Sequence, residues 1–154
     1  ALLNARGFSK DDFAKSHPAG QLGKKLTTLV KDLAVMDQNA PMVDQNTSLK
    51  DTLIEITEKK LGVTLVSNNK KVVGIFTDGD LRRCLNNEIE LNKTIIKDVM
   101  TSKFKGIDSN ALAIDAAEMM ENNKVFSLVV HSPKNEKGRP GIITMHQLLE
   151  AGIV

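Results

Sequence analysis

Apolar residues follow the same succession of helical and strand-like patterns twice along this chain. In the first half, Leu49, Leu53 and Ile56 have helical spacing, and the apolar runs "VTLV" and "VVGIF" follow. In the second half, Leu112 and Ala116 begin a similar helical set, followed by "SLVV" and "GIIT". The runs "LRRCL" and "HQLLEA" predict a closing helix in each half. The pattern predicts an α+β fold of two units, each with the order strand, helix, strand, strand, helix.

The two halves also share short sequences in the same order. "VKDL" recurs as "IKDV", "VDQNTSLKDTL" as "IDSNALAIDAA", and "GIFT" as "GIIT". These matches indicate an internal repeat, and because each copy is too small to bury a sufficient core alone, we expect the copies to pack together. Polar residues precede the first helix of each copy, namely residues 46–48 and Ser109 with Asn110, and they are candidates for the helix N-caps.

Composition narrows the class of protein. Of the 154 residues, 41% are hydrophobic and 26% are charged, with a net charge of +2, which is typical of a globular domain. Basic residues are spread in pairs and Tyr and Trp are absent, so no nucleic-acid surface is indicated. Cys84 is the single cysteine, which favours a reducing compartment, and we expect a cytoplasmic protein. No apolar run approaches membrane-spanning length, and a chain beginning with Ala1 is expected to be a fragment of a longer protein.

The turn after the last strand of copy one carries the most polar chemistry. Thr77 and Asp80 lie where a strand gives way to a helix, and Arg83 follows within one turn. A helix N-terminus with a hydroxyl suits a phosphate, and a carboxylate can accept both hydroxyls of a ribose. The alternative is a helix cap, with Thr77 as N-cap and the acids complementing the helix dipole. The matching turn of copy two has Thr144 but carries Gln147 where Asp80 stands.

The sequence from Thr27 to Val154 resembles a tandem pair of CBS domains. The family's ligand signature is glycine, two apolar residues, Thr or Ser, two variable residues, then Asp or Asn; residues 74–80 fit it throughout, and residues 141–147 end in Gln. The resemblance implies repeats at 27–90 and 91–154, packed sheet against sheet with pseudo-twofold symmetry around nucleotide-binding clefts. It implies Thr77, Asp80, Arg83 and Thr144 as nucleotide-binding residues, with the stronger site in copy one.

The leading segment "DDFAKSHPAGQLGKKL" lies outside the repeats. It resembles the end of the sugar isomerase (SIS) domain of arabinose 5-phosphate isomerases, although Ala19 stands where that family more usually has Gly. The resemblance implies that residues 1–26 are the end of such a domain and that His17 takes part in aldose-ketose isomerisation in the full-length enzyme. The family's other catalytic groups lie upstream, so we expect this chain by itself to be inactive.

The resemblance implies a regulatory module that senses a nucleotide or nucleotide-sugar, with CMP-Kdo, the activated end product of the pathway that uses arabinose 5-phosphate, as the expected ligand. The alternative is a scaffold that binds no ligand and only dimerises isomerase domains, with a tetramer possible for the full-length protein. No cofactor, metal ion, nucleic acid or membrane is expected as a partner. The interpretation that this chain is an enzyme by itself is less favoured, because no catalytic triad, metal-ligand cluster or phosphate loop is found in the sequence.

Overall fold

Each copy folds into a three-stranded sheet with two helices. The computed structural model describes residues 20–133 and 139–154. Two helices lead into copy one, α1 (Gly20–Thr27) and α2 (Val30–Leu33). Copy one contains β1 (Met42–Asp44), α3 (Leu49–Lys59), β2 (Val63–Asn68), β3 (Lys71–Thr77) and α4 (Asp78–Asn86). Copy two contains β4 (Gly106–Asp108), α5 (Ala113–Asn123), β5 (Ser127–His131), β6 (Gly141–Thr144) and α6 (Met145–Glu150).

The two sheets have the same topology. The central strand pairs in parallel with the first strand and antiparallel with the third, giving the orders β1-β2-β3 and β4-β5-β6. The hairpin between β2 and β3 turns at Asn69 and Lys70, whose φ angles of 49° and 69° are both left-handed. Such a turn matches the twist of the strands it joins. The predicted order of strands and helices is therefore present in both copies.

The first helices of the two copies begin differently. Ser48 is the N-cap of α3, and its side chain accepts a hydrogen bond of 3.1 Å from the Asp51 N–H, as predicted. The expectation that Ser109 or Asn110 caps α5 is wrong, because the N-cap is Leu112 and no side chain caps it. The leading segment supplies a backbone acceptor for α5 instead, since the Thr28 carbonyl accepts from the first helical N–H at 2.8 Å.

The segment that precedes copy one packs against copy two. Within residues 28–36, the Val30 N–H donates to the Ala111 carbonyl at 2.8 Å. Val35 pairs with Ile142 in an isolated antiparallel bridge, through two hydrogen bonds of 2.9 Å. The leading segment of copy one therefore pairs with β6 through Val35, beside the three strands of the second sheet.

The reciprocal contact is made by the segment that precedes copy two. Within residues 94–101, the Ile96 N–H donates to the Thr47 carbonyl at 2.8 Å. Thr101 pairs with Ile75 through hydrogen bonds of 2.8 and 2.9 Å, as Val35 pairs with Ile142 in the other copy. The two copies have thus exchanged their leading segments.

The packed units differ from the sequence copies because of this exchange. We call residues 42–86 with 94–101 the first unit, and residues 106–154 with 28–36 the second unit. Pseudo-twofold symmetry relates the two units, so the predicted α+β fold of two packed repeats is confirmed. Among the described residues, no helix combines the length and apolar character needed to cross a membrane.

Buried aliphatic side chains form three clusters. Two lie between a sheet and its helices, and each contains a residue of the exchanged segment, Ile96 in the first unit and Val30 in the second. The third lies between the units and contains Ala40, Val63, Leu65, Val129 and Ile142. Burial of one Val, Leu or Ile side chain contributes about 1.5–3 kcal/mol. The cluster shared by the two units therefore stabilises their association.

Two glycines lie where the exchanged segments approach the sheets most closely. A Cβ at Gly74 would lie 3.0 Å from the Thr101 carbonyl oxygen, and a Cβ at Gly141 would lie 2.5 Å from the Val35 carbonyl oxygen. The backbone of the exchanged segment leaves no room for a side chain at Gly141 and little room at Gly74. The packing of the two copies therefore favours the glycine that begins "GIFT" and "GIIT", most strongly in the second unit.

Candidate functional site

Thr77 and Asp80 form a capping box at the start of α4. Thr77 Oγ1 accepts a hydrogen bond of 3.2 Å from the Asp80 N–H, as the N-cap of the helix. Asp80 Oδ2 accepts in return from the Thr77 N–H at 2.9 Å and from Thr77 Oγ1 at 3.1 Å. The cap interpretation is confirmed, and it uses one oxygen of the carboxylate whose ligand-binding role was predicted.

The second oxygen of Asp80 connects three parts of the first unit. Asp80 Oδ1 accepts a hydrogen bond of 2.9 Å from Thr101 Oγ1 and forms an ion pair with the Arg83 guanidinium. Asp80 is only 3% exposed, and a buried carboxylate is stable only when charged and hydrogen-bonding partners compensate its desolvation. The structure thus supplies Asp80 with partners from the turn, from α4 and from the exchanged segment.

Arg83 places an accessible positive charge at this turn. Its side chain is 68% exposed, whereas that of Asp80 is 4% exposed. A guanidinium has five N–H donors, so pairing through one nitrogen to Asp80 leaves donors facing solvent. Donors of this kind, close to a helix N-terminus, can bind a phosphate.

Apolar side chains lie next to the polar turn. Val63 is the cross-strand partner of Thr77, and with Leu65 it is buried in the cluster between the units. Ile75, which packs against the same cluster, is only partly buried. A nucleotide needs apolar as well as charged contacts, because its base is apolar on its faces and its phosphate is charged. Of these three side chains, Ile75 is the one that keeps exposed area for a base.

Cys84 lies on the buried side of α4, one helical turn after Asp80. Burial raises the pKa of the Cys84 thiol, the negative charge of Asp80 raises it further, and the positive charge of Arg83 opposes both. The thiol is 4% exposed and packs in the first-unit core with Phe76. Cys84 is therefore a core residue and no part of a reactive site.

The corresponding turn of the second unit has the same cap but different charges. Thr144 is the N-cap of α6, and Gln147 Oε1 accepts from the Thr144 N–H at 2.8 Å. The residue that corresponds to Arg83 is Glu150, whose carboxylate lies 2.9 Å from His146 Nε2. This turn therefore presents an acidic residue where the first unit presents a cation.

The exchanged segment also differs between the two turns. Val35 occupies the place in the second unit that Thr101 occupies in the first, as their bridges to Ile142 and Ile75 show. Valine has no hydroxyl, so the hydrogen bond that Thr101 donates to Asp80 has no counterpart. The polar network is confined to the first unit.

The structure thus brings three of the predicted residues together and places Thr144 at the other turn. Thr77, Asp80 and Arg83 form one network, whereas Thr144 lies at the matching turn of the second unit. His17 lies outside the described residues. Thr101 was missed, because only the exchange of segments shows that it lies beside Asp80; alignment of the two repeats, which contrasts it with Val35, was the available signal.

A groove lies at the other end of the first sheet. It has a volume of about 530 Å³, and its lining residues are Met42, Val43, Asp44, Ser67, Lys70 and Arg139. The Arg139 guanidinium comes from the second unit and lies 3.6 Å from the Met42 sulfur. Within residues 20–133 and 139–154, no group of three or more His, Cys, Asp or Glu residues is arranged to hold a metal ion.

Comparison with known sequences identifies both repeats. The sequence profile of the CBS domain matches residues 30–87 and 96–153. The chain is 43% identical over 155 residues to arabinose 5-phosphate isomerase KdsD of Yersinia pestis. It is 44% identical over 156 residues to the same enzyme of Pseudomonas aeruginosa. These matches cover 100% of this chain but 46% and 47% of the relatives, so the chain spans about half the length of the curated relatives it matches.

Solved structures show the same fold. CBSX2 in complex with AMP superposes with a TM-score of 0.68 and 27% identity, over 82% of this chain and 97% of that one. A CBS domain protein of Pyrobaculum aerophilum complexed with AMP gives 0.66 and 15%, over 78% and 89%. The CBS domain of a bacterial CNNM/CorC family Mg²⁺ transporter in complex with ATP gives 0.69 and 17%, over 86% and 90%. At the two lower identities, the likeness concerns the fold alone.

Proposed function

Because the chain belongs to the CBS domain family, we propose that its first unit binds a nucleotide and thereby regulates an isomerase domain of the same longer protein. The curated relatives that it matches are arabinose 5-phosphate isomerases about twice its length. The proposed parent reaction is the interconversion of ribulose 5-phosphate and arabinose 5-phosphate. The observation that carries the proposal is the clustering of Thr77, Asp80 and Arg83 in one unit only.

The proposed contacts follow from the chemistry of these residues. Arg83 and the Thr77 hydroxyl bind the phosphate, Asp80 accepts from the ribose hydroxyls, and the base packs beside Ile75, which is only partly buried. Asp80 already accepts from several donors, so binding requires the Oδ1 oxygen to exchange its present donors for ligand hydroxyls. We propose that Thr144 contributes a hydroxyl to a weaker second site, which lacks a cation at position 150.

The proposed ligand is CMP-Kdo, or another nucleotide of the same general shape. Two of the solved CBS structures are complexes with AMP and a third is a complex with ATP, which supports nucleotide binding without specifying a cytidine base. A ligand that binds one arrangement of the units more tightly than another shifts the population toward that arrangement, to an extent set by the difference in affinity. Through such a shift, the end product CMP-Kdo would regulate the activity of the isomerase domain.

We place the boundaries of the parts at 1–26 for the end of the isomerase domain, 27–90 for repeat one and 91–154 for repeat two. His17 is assigned to the isomerisation, which needs a proton shuttle between neighbouring oxygens, and histidine suits that task near neutral pH. The upstream catalytic groups lie outside this sequence. Purified chain is therefore expected to leave arabinose 5-phosphate unconverted, and turnover above background would contradict this assignment.

A thermal-shift screen with CMP-Kdo, CMP, AMP and ATP tests nucleotide binding, because a ligand that binds only the folded chain raises its melting temperature. Asp80→Ala and Gln147→Ala are the corresponding variants of the two turns, since each removes the side-chain half of one capping box at a cost of about 1 kcal/mol. Asp80→Ala costs more than Gln147→Ala, because it also removes the bonds to Thr101 and Arg83. We expect Asp80→Ala to abolish the ligand shift and Gln147→Ala to keep it. Equal shifts would remove Asp80 from the site, and no shift at millimolar ligand would contradict nucleotide binding.

A ligand-free scaffold is the second candidate, and exposed apolar side chains favour it. Ile54 on α3, Leu85 on α4 and Leu149 on α6 are 49%, 55% and 56% exposed. Helix faces of this kind can pair between two copies of the chain. Light scattering after size exclusion should then show a dimer whose mass falls to that of a monomer in Leu85→Glu. A monomeric wild-type chain would contradict the scaffold.

A further inference from the structure

We infer that Thr101 senses the occupancy of the first-unit site: its hydroxyl holds Asp80 Oδ1 in the free protein, and a ligand hydroxyl displaces it. This inference rests on the nucleotide site proposed above. It assigns a positioning role to a residue of the segment that joins the two copies, with the consequence that binding in the first unit is transmitted to that segment.

The donors around Asp80 differ in how readily a ligand can replace them. A carboxylate has about four acceptor positions, and the Asp80 carboxylate receives the Thr77 N–H, the Thr77 hydroxyl, the Thr101 hydroxyl and the Arg83 guanidinium. The Thr77 N–H bond to Oδ2 belongs to the capping box of α4, so losing it would weaken the start of the helix, whereas the Thr77 hydroxyl is the donor proposed to turn toward the phosphate. Thr101 and Arg83 share Oδ1, which is therefore the oxygen that a ligand hydroxyl reaches at the smaller cost.

Displacement has different consequences for the two donors on Oδ1. Arg83 is largely exposed and can turn toward a ligand phosphate. Thr101 is held by its backbone bridge to Ile75 and is continuous with Ile96, which is fully buried in the first-unit core. On its other side the chain reaches Phe104, which packs against the cluster between the units. Loss of the Thr101–Asp80 hydrogen bond therefore affects a segment that is anchored both in the first-unit core and against the cluster between the units.

The second unit provides a natural control for this role. Val35 makes the same bridge to Ile142 that Thr101 makes to Ile75, so the fold accepts valine in this position. Its partner across the turn is Gln147, a neutral side chain that bonds Thr144. The structure therefore predicts that Thr101→Val keeps the fold and removes one donor from Asp80.

Isothermal titration calorimetry of wild type, Thr101→Val, Thr101→Ser and Val35→Thr with AMP, ATP and CMP tests the inference. If the ligand must displace Thr101, the valine variant binds about tenfold more tightly or better, because one hydrogen bond to the charged Asp80 carboxylate no longer competes. Thr101→Ser keeps the hydroxyl and should bind as wild type does. Val35→Thr adds a hydroxyl at the other turn and should leave the affinity unchanged.

Hydrogen exchange supplies a readout that a purely structural role would not alter. The Ile75 and Thr101 N–H groups form the bridge and report on the joining segment. Nucleotide should accelerate their exchange in wild type and Thr101→Ser, and should leave it unchanged in Thr101→Val, where the contact is already lost.

The possible results of these experiments distinguish the proposed nucleotide site from the proposed role of Thr101. Absence of binding by the wild-type chain overturns both the site and the sensor role. Binding by wild type that is unchanged or weaker in Thr101→Val overturns the sensor role alone, since a residue that only supports the site or contacts the ligand gives that result. Tighter binding with an unchanged bridge on ligand addition in wild type also overturns the sensor role.

Discussion

Replacing Gly141 with alanine tests the contact that holds the leading segment against the second unit. The added Cβ would lie 2.5 Å from the Val35 carbonyl oxygen and 3.2 Å from Met36 Cα. The Met36 sulfur lies closer still, as the Met100 sulfur does at Gly74, but it can rotate away as the end of a side chain, whereas the two backbone atoms cannot. The segment must therefore move, and the two 2.9 Å hydrogen bonds between Val35 and Ile142 lengthen with it.

The expected loss combines overpacking with weakened hydrogen bonds. Extra methyl groups in a packed site cost about 1–3 kcal/mol, and each hydrogen bond contributes a net of about 1 kcal/mol. We therefore expect Gly141→Ala to lower the free energy of unfolding by about 2–4 kcal/mol. For a domain of this size that loss lowers the melting temperature by roughly 5–12 °C.

Two further glycines provide graded controls. At Gly74 the tightest neighbour of an added Cβ is the Met100 sulfur, a flexible side-chain end, and the backbone contact is longer, 3.0 Å to the Thr101 oxygen. We expect a cost of about 1 kcal/mol there. At Gly79, in the first turn of α4, the nearest atom is Thr77 Oγ1 at 3.6 Å, so alanine should stabilise the helix by about 0.5 kcal/mol.

Urea denaturation followed by circular dichroism measures these differences. The expected order of stability is Gly79→Ala, wild type, Gly74→Ala and Gly141→Ala, from most to least stable. Met100→Ala should partly rescue Gly74→Ala, because it removes the closest neighbour. A free energy of unfolding for Gly141→Ala within about 0.5 kcal/mol of the wild-type value, the range of an ordinary surface substitution, would contradict the close contact between Gly141 and the exchanged segment.

The helix caps and the buried thiol allow three further tests of the fold. Thr77→Ala and Thr144→Ala should each cost about 1 kcal/mol in urea denaturation, since both threonines are N-caps; a cost at one turn only would contradict their equivalence. Cys84 should resist a thiol reagent at pH 8, because burial raises its pKa, and should react as urea unfolds the chain; rapid labelling of the native chain would contradict its core position. Lys60→Gly and Lys124→Gly should each raise the melting temperature, because these helix C-caps have φ angles of 60° and 55°; a lower melting temperature would contradict this.

Local features of the fold could be predicted because they depend on residues close in sequence. Helix spacing, short β-branched runs and paired turn residues are governed by backbone geometry over a few positions, and they gave the element order and the repeat. The caps at Ser48, Thr77 and Thr144 were predictable for the same reason, since each N-cap bonds a residue three positions later. The missed cap at Leu112 depends instead on the distant Thr28 carbonyl.

The sequence by itself determined the repeat, the elements and the distribution of charge between the two turns. Only the tertiary structure decided which segment completes which unit, because pairing between Val35 and Ile142, or between Ile75 and Thr101, leaves no periodic signal in the chain. The same packing decided the surroundings of Asp80. From the sequence, Asp80 was interpreted either as a ribose-binding residue or as an acid that complements the helix dipole. In the structure it is part of the cap and also accepts a hydrogen bond from Thr101 of the exchanged segment.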